Sequence, residues 1–215
     1  MSGLGGLRNM SRIKGLAAQL AAQSYEKALK KKGYKFFKNG NYNLNVIGVR
    51  NSSGNASKFD DFINLLYKVK GKWVWDCYEI TTEPGWKILK NPIVKKGTAI
   101  LVPDQYRSAY KIALHRGAYP ALCQLGGPVK VWRDDNRDTE PDCVGPEDQG
   151  WYGINIHKHS GPAGMMNTFG VSAGCQVFRH SKDFFEFMDV CDAACDQWGN
   201  SFTYTLIDEK DLKNC

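Results

Sequence analysis

The sequence lacks the long apolar segments that direct a protein into a membrane or out of the cell. No stretch approaches the roughly 18 consecutive apolar residues that cross a bilayer as a helix. The first eight residues contain no apolar core of a secretory signal. We therefore expect a protein with no membrane span and no signal peptide that is synthesised in the cytoplasm.

The sequence also lacks the paired CxxC motifs that are typical of a structural zinc site. It has seven cysteines, and an odd number without a signal peptide favours reduced thiols over a disulfide framework. These observations predict free thiols and no metal or other cofactor.

Acidic residues are nearly absent from the first 40 positions. This segment has nine Lys or Arg residues and one acid, Glu26, whereas the rest of the chain has 20 basic and 21 acidic residues. Such a segment suits an anionic partner, and it equally suits a solvated helix face or a flexible tail. Aromatic residues interleave with the basic ones only from Tyr34 onward, and no nucleic-acid-binding motif is present, which disfavours nucleic acid. We interpret 1–40 as a basic helical arm that would contact a protein partner; the family resemblance given below extends this to a virion protein.

Beyond the arm, alternating apolar and polar residues predict a mainly β domain over 41–215. An Ala- and Lys-rich stretch predicts a helix over 11–32 with Ser11 as its N-cap. Apolar residues at helical spacing predict a second helix that Ser181 caps and that runs to about Gln197. Lys70-Gly71-Lys72 between two apolar runs predicts a β-hairpin. The predicted strands are 44–49, 62–69, 73–80, 98–102, 129–132, 152–157 and 202–207, and the predicted loops are 51–57, 134–149 and 158–171.

Two short segments carry the residue types of a nucleophilic enzyme. Gly153-Ile154-Asn155-Ile156-His157 predicts a strand that ends in a histidine, and Ser172-Ala173-Gly174-Cys175 surrounds a thiol with small residues. A free thiol is only slightly ionised at neutral pH, so Cys175 needs a base, and His157 can take its proton. We expect the main-chain N–H groups of Gly174 and Cys175 to form an oxyanion hole.

A strand ending in Ile-His, a glycine-rich loop and then Ser-x-Gly-Cys resembles the signature of YkuD-type L,D-transpeptidases, over residues 151–178. The resemblance implies a mixed β sandwich or barrel with one helix after the cysteine motif, and no cofactor. It implies that a peptidoglycan stem peptide acylates Cys175, that His157 is the base, and that Ser172 and Gly174 complete the catalytic motif. It also implies that a backbone carbonyl near Lys158–His159 orients the imidazole.

The chain departs from the family's pattern at two places. Ala173 stands where the family has a second histidine, and Gln176-Val177 replaces a hydrophobic residue followed by Asn or Arg. We expect Gln176 or Arg179 to supply the missing polar contact with the substrate. Trp151 is more typical of a core residue, but its place beside the His157 strand would also suit a wall of the substrate cleft.

The other histidines leave alternatives open. His159 would share a strand face with His157, so it is a second candidate base or a substrate contact. His157, His159 and Cys175 together would alternatively suit zinc. We interpret His115 and His180 as ordinary surface or packing residues.

The sequence thus predicts cysteine-dependent acyl transfer on peptidoglycan stem peptides through a Cys175 thioester. Water would resolve the thioester in a hydrolase, and an amine would resolve it in a transpeptidase. The chain resembles phage-encoded relatives of this family in its divergent motif, its basic arm and its lack of a signal peptide. Such relatives reach the cell wall by lysis or within the virion. The alternative is a non-catalytic virion or structural protein that retains the fold.

Overall fold

The computed structural model describes residues 12–52, 56, 58–159 and 172–213, and more of these residues lie in strands than in helices. The strands are β1 (Ile13–Lys14), β2 (Asn45–Arg50), β3 (Asp61–Val69), β4 (Lys72–Thr81), β5 (Thr98–Leu101), β6 (Gln105–His115), β7 (Tyr119–Gln124), β8 (Val129–Asp134), β9 (Asp148–Gly150), β10 (Ile156–Lys158), β11 (Gln176–Phe178) and β12 (Phe202–Asp208). The helices are α1 (Leu16–Lys31), α2 (Trp86–Lys90), α3 (Ser181–Trp198) and α4 (Glu209–Lys213). The predicted mainly β class is confirmed, but β6 and β7 lie where no strand is predicted.

The hairpin of β3 and β4 follows from its turn sequence. Lys70 and Gly71 have positive φ angles of 49° and 75°, as the favoured two-residue hairpin turn requires at both positions. Val69 pairs with Lys72 across this turn. The predicted hairpin is therefore confirmed.

Eight strands close into a barrel of mixed direction. Their order is β4, β11, β10, β7, β6, β12, β2, β3, and β3 pairs with β4 to complete the ring. The pairs β10–β11 and β12–β2 are parallel. Tyr67, Tyr110, Tyr204 and Phe178 are fully buried within the core. Large side chains thus fill the barrel, which is a packed core and not a channel.

The helix of the basic segment lies on the outside of this barrel. Tyr25 and Leu29 of α1 form an apolar cluster with Ile47 of β2 and Leu66 of β3. The helix begins at Leu16, after a short β1 that pairs with β4, and the predicted N-cap Ser11 lies outside the described residues. No helix in the described ranges is long and apolar enough to cross a membrane.

The helix after the cysteine motif packs its aromatic residues on β11. The rings of Phe184 and Phe187 lie 5.5 and 5.0 Å from that of Phe178. The helix therefore holds β11, and the turn just before it, against the barrel core. The predicted helix is present, but Ser181 is its first residue and His180 is the N-cap, so the predicted Ser181 cap is wrong.

A second sheet supports the same turn from another side. β5, β8 and β9 form this antiparallel sheet, and its Ala99 and Leu101 belong to the same core as Ile154. The carbonyl of Ala99 lies directly against Gly174. The turn that carries Cys175 is thus held between the small sheet and the barrel.

Candidate active site

The parallel pairing of β10 with β11 places the turn that carries Cys175 beside the strand that carries His157. His157 pairs with Val177 and Ile156 with Gln176. Cys175 lies outside β11, directly before its first residue Gln176. Its Sγ lies 3.5 Å from the main-chain nitrogen of Asn155, in the segment that leads into β10. No hydrogen bond joins Cys175 and His157 within the described part of the chain, and such contacts often tighten only when substrate binds.

Ser172 shapes the cysteine turn through its hydroxyl group. Ser172 Oγ donates to the carbonyl of Cys175 at 2.8 Å and accepts the N–H of Gly174 at 3.2 Å. Its own carbonyl accepts the N–H of Gly85 at 2.9 Å. The described contacts of Ser172 are therefore with the backbone of the turn and with the segment after β4.

One of the two N–H groups expected to form an oxyanion hole already donates a hydrogen bond. The Gly174 N–H is already engaged by Ser172 Oγ. Within the described residues the Cys175 N–H has no hydrogen-bond acceptor. Of the two donors expected to form an oxyanion hole, only the Cys175 N–H is thus without an acceptor among the described residues.

The thiol of Cys175 is held between two backbone groups. Sγ accepts the N–H of Asn155 at 3.5 Å and donates to the carbonyl of Gly153 at 3.5 Å. Although the residue is partly exposed, burial of its sulfur raises the pKa of the thiol, and the hydrogen bond from Asn155 acts in the opposite direction. Cys175 is therefore a neutral thiol at rest.

His157 has the tautomer that a base for Cys175 needs. Its Nδ1 lies 2.9 Å from the carbonyl of Lys158. A carbonyl only accepts, so Nδ1 carries the proton and Nε2 keeps its lone pair. Burial lowers the pKa of His157 to about 4, against the opposing effect of that hydrogen bond. The carbonyl that the resemblance places near Lys158–His159 is thus present, and it belongs to Lys158.

The sequence does not indicate that His115 and its partner Asn155 belong to this site. His115, interpreted above as an ordinary surface or packing residue, stacks on His157 with ring centroids 4.2 Å apart and planes at 20°. Its Nδ1 lies 3.1 Å from Nδ2 of Asn155. His115 is the last residue of β6, and the sequence pattern does not predict that strand, so it gives no reason to place His115 near His157.

Gln176 lies inside the barrel. Its Oε1 accepts the hydroxyl of Tyr204 at 2.8 Å, and its Nε2 donates to the carbonyl of Gly174 at 3.2 Å. The residue is fully buried. The Gln176 side chain therefore supports the cysteine turn from within and has no open surface for the substrate contact expected above.

The other three residues expected to bind substrate lie in different surroundings. Trp151 is 61% exposed beside the segment that leads into β10. His159 is buried with its ring edge-on to Phe59, and Arg179 forms an ion pair with Glu79 at 2.6 Å. Trp151 is thus the one of the three with a large exposed apolar surface.

The alternative zinc site finds no support in the arrangement of its ligands. Across the described ranges, which include His157, His159 and Cys175, no three His, Cys, Asp or Glu side chains form a group that could hold a metal ion.

No family model, no curated protein and no solved structure matches this chain. The function is consequently inferred from the geometry of the site and from its motif.

Proposed function

We propose that this protein is a cysteine-dependent acyl-transfer enzyme of the L,D-transpeptidase type that acts on peptidoglycan stem peptides. The observation that supports it best is the parallel β10–β11 pairing. Cys175 directly precedes β11, which pairs with the strand of His157, and the Nδ1–H of His157 donates to the carbonyl of Lys158. The stem-peptide substrate is inferred from the resemblance of the His157 and Cys175 motifs to that family.

The resting state of the pair determines how the reaction starts. Burial raises the pKa of Cys175 and lowers that of His157. A thiolate–imidazolium pair is therefore disfavoured before substrate binds, and the proton moves as Sγ attacks.

Acylation of Cys175 starts with attack of its sulfur on a peptide carbonyl. Sγ of Cys175 bonds to the peptide carbonyl carbon while its proton passes to Nε2 of His157, and the Cys175 N–H donates to the oxyanion. The carbon–nitrogen bond breaks, and the leaving amine takes the proton from His157. The product is a thioester on Cys175, which water or an acceptor amine attacks with His157 again as base.

The test is conversion of purified peptidoglycan fragments, followed by mass spectrometry. Wild-type protein should hydrolyse or cross-link stem peptides, and Cys175→Ala should lose this activity. Cys123→Ala is the matched control, because Cys123 is a buried cysteine on β7 whose Sγ contacts the carbonyl of Ala113 at 3.5 Å. It should retain the activity.

The proposal fails if wild-type protein leaves all fragments unchanged and iodoacetamide modifies Cys175 no faster than Cys123. That result would favour the alternative of a non-catalytic virion or structural protein.

A further inference from the structure

The amide of Asn155 has a fixed orientation. The main-chain N–H of Gln124 can only donate, and it lies 2.9 Å from Asn155 Oδ1. Asn155 Nδ2 is therefore the group that faces His115 Nδ1 at 3.1 Å. Because an amide nitrogen only donates, His115 Nδ1 must be the acceptor and the proton of this imidazole must sit on Nε2.

The two stacked histidines thus have opposite tautomers. His157 carries its proton on Nδ1, facing Lys158, whereas His115 carries its proton on Nε2. Their rings lie 4.2 Å apart and nearly parallel. A neutral His115 lets His157 become positive during the reaction, whereas a positive His115 would repel that charge.

Asn155 links His115 to the thiol. Its side chain joins β7 through Gln124 and β6 through His115, and its main-chain N–H donates to Cys175 Sγ at 3.5 Å. Loss of the acceptor at His115 would release the side chain of the residue whose N–H stabilises the thiolate.

We propose that His115 is a positioning residue for the Cys175 centre, acting as a neutral acceptor that holds Asn155 in place. This inference deepens the proposed function and rests on it, because it assigns the residue that organises the same nucleophile. His115 acts through Asn155 and His157, and it makes no described contact with Cys175 itself.

The first test reads the tautomers in wild-type protein. Proton–nitrogen NMR correlation of the four imidazoles, assigned with single histidine variants, distinguishes a protonated ring nitrogen from an unprotonated one. We expect His115 protonated on Nε2 and His157 protonated on Nδ1. A proton on Nδ1 of His115 would overturn the proposal, whether or not any variant folds.

The second test distinguishes the effect of the hydrogen-bond acceptor on His115 from the effect of its aromatic ring. His115→Gln keeps a carbonyl that can accept from Asn155, and His115→Phe keeps a ring that can stack on His157 but offers no acceptor. Alkylation of Cys175 by iodoacetamide should slow by about tenfold in His115→Phe, the loss expected for a weakened hydrogen bond to a charged sulfur. It should stay within about threefold of wild type in His115→Gln.

An unchanged rate in His115→Phe, or an equal loss in both variants, would overturn the proposal. Neither test uses peptidoglycan. Failure of the proposed acyl transfer would therefore appear in fragment conversion and in the reactivity of Cys175 relative to Cys123 in wild-type protein. Failure of the positioning role would appear in the tautomers and in the alkylation rates of the His115 variants relative to wild type.

Discussion

Replacement of Gly174 by alanine should displace the turn that carries Cys175. Gly174 has a φ of +114°, which residues with a Cβ rarely adopt. An added Cβ would also overlap the carbonyl oxygen of Ala99 and lie 3.4 Å from its carbonyl carbon. Ala99 is backbone of β5, paired with Arg133 of β8, so it cannot swing aside as the end of a flexible side chain would. The turn itself must therefore move.

Gly71 provides the matched control for this substitution. It also has a positive φ, +75°, but an added Cβ would have nothing within 4 Å. Gly71→Ala should lower the free energy of unfolding by the conformational penalty alone, about 1 kcal/mol. Gly174→Ala should combine a similar penalty with the overlap and cost about 3 kcal/mol. A displacement of about 1 Å at the nucleophile should also slow fragment conversion about a hundredfold.

Urea unfolding and the peptidoglycan-fragment assay check both parts of this prediction. Gly71→Ala should react at the wild-type rate despite its lower stability. The reasoning is refuted if Gly174→Ala is no less stable than Gly71→Ala and converts fragments at the wild-type rate.

Two further predictions concern buried polar groups. Burial, reinforced by the nearby charge of Asp61, raises the pKa of Glu83 from 4.5 to about 7, so its contribution to stability is lost as pH rises through that value. Glu83→Gln should therefore stabilise the protein by about 2–3 kcal/mol more at about pH 8 than at about pH 5; equal effects in urea unfolding at the two pH values would contradict this. Tyr204→Phe leaves buried Oε1 of Gln176 without its donor and should cost about 1–3 kcal/mol in the free energy of unfolding. Tyr110→Phe removes a buried hydroxyl without a hydrogen-bond partner in the described structure, so it should cost little, and a similar loss in both variants would count against this account.

The sequence alone predicts the elements whose formation depends mainly on residues close together in the chain. Lys70 and Gly71 predict the β3–β4 hairpin because the turn requires their backbone conformation. The apolar face after Ser181 predicts α3 for a similar reason. The spacing of His157 and Ser172-x-Gly174-Cys175 indicates two segments that the fold makes neighbours, since His157 lies on β10 and the cysteine motif directly precedes the adjacent β11.

The rest of the site depends on pairings between distant strands. His115 reaches His157 only because β6 pairs with β7 and β7 with β10, an order that no local pattern specifies. The sequence does not predict β6, because exposed Arg107 and Ser108 interrupt its apolar residues. The strand is also irregular at Ser108, whose φ is 54°. The sequence alone suggests a substrate contact for Gln176, because it does not show that Tyr204 lies near it. Tyr204 is on β12, across the barrel, and its hydroxyl donates to Gln176 Oε1.

We propose Cys175 as the nucleophile and His157 as its base. The most direct measurement is peptide-level mass spectrometry after incubation with a carbapenem, an acylating compound suited to this type of site. The account predicts one acyl adduct on Cys175, absent in Cys175→Ala and formed much more slowly in His157→Gln. No adduct on Cys175, or equal labelling of Cys123, would contradict it.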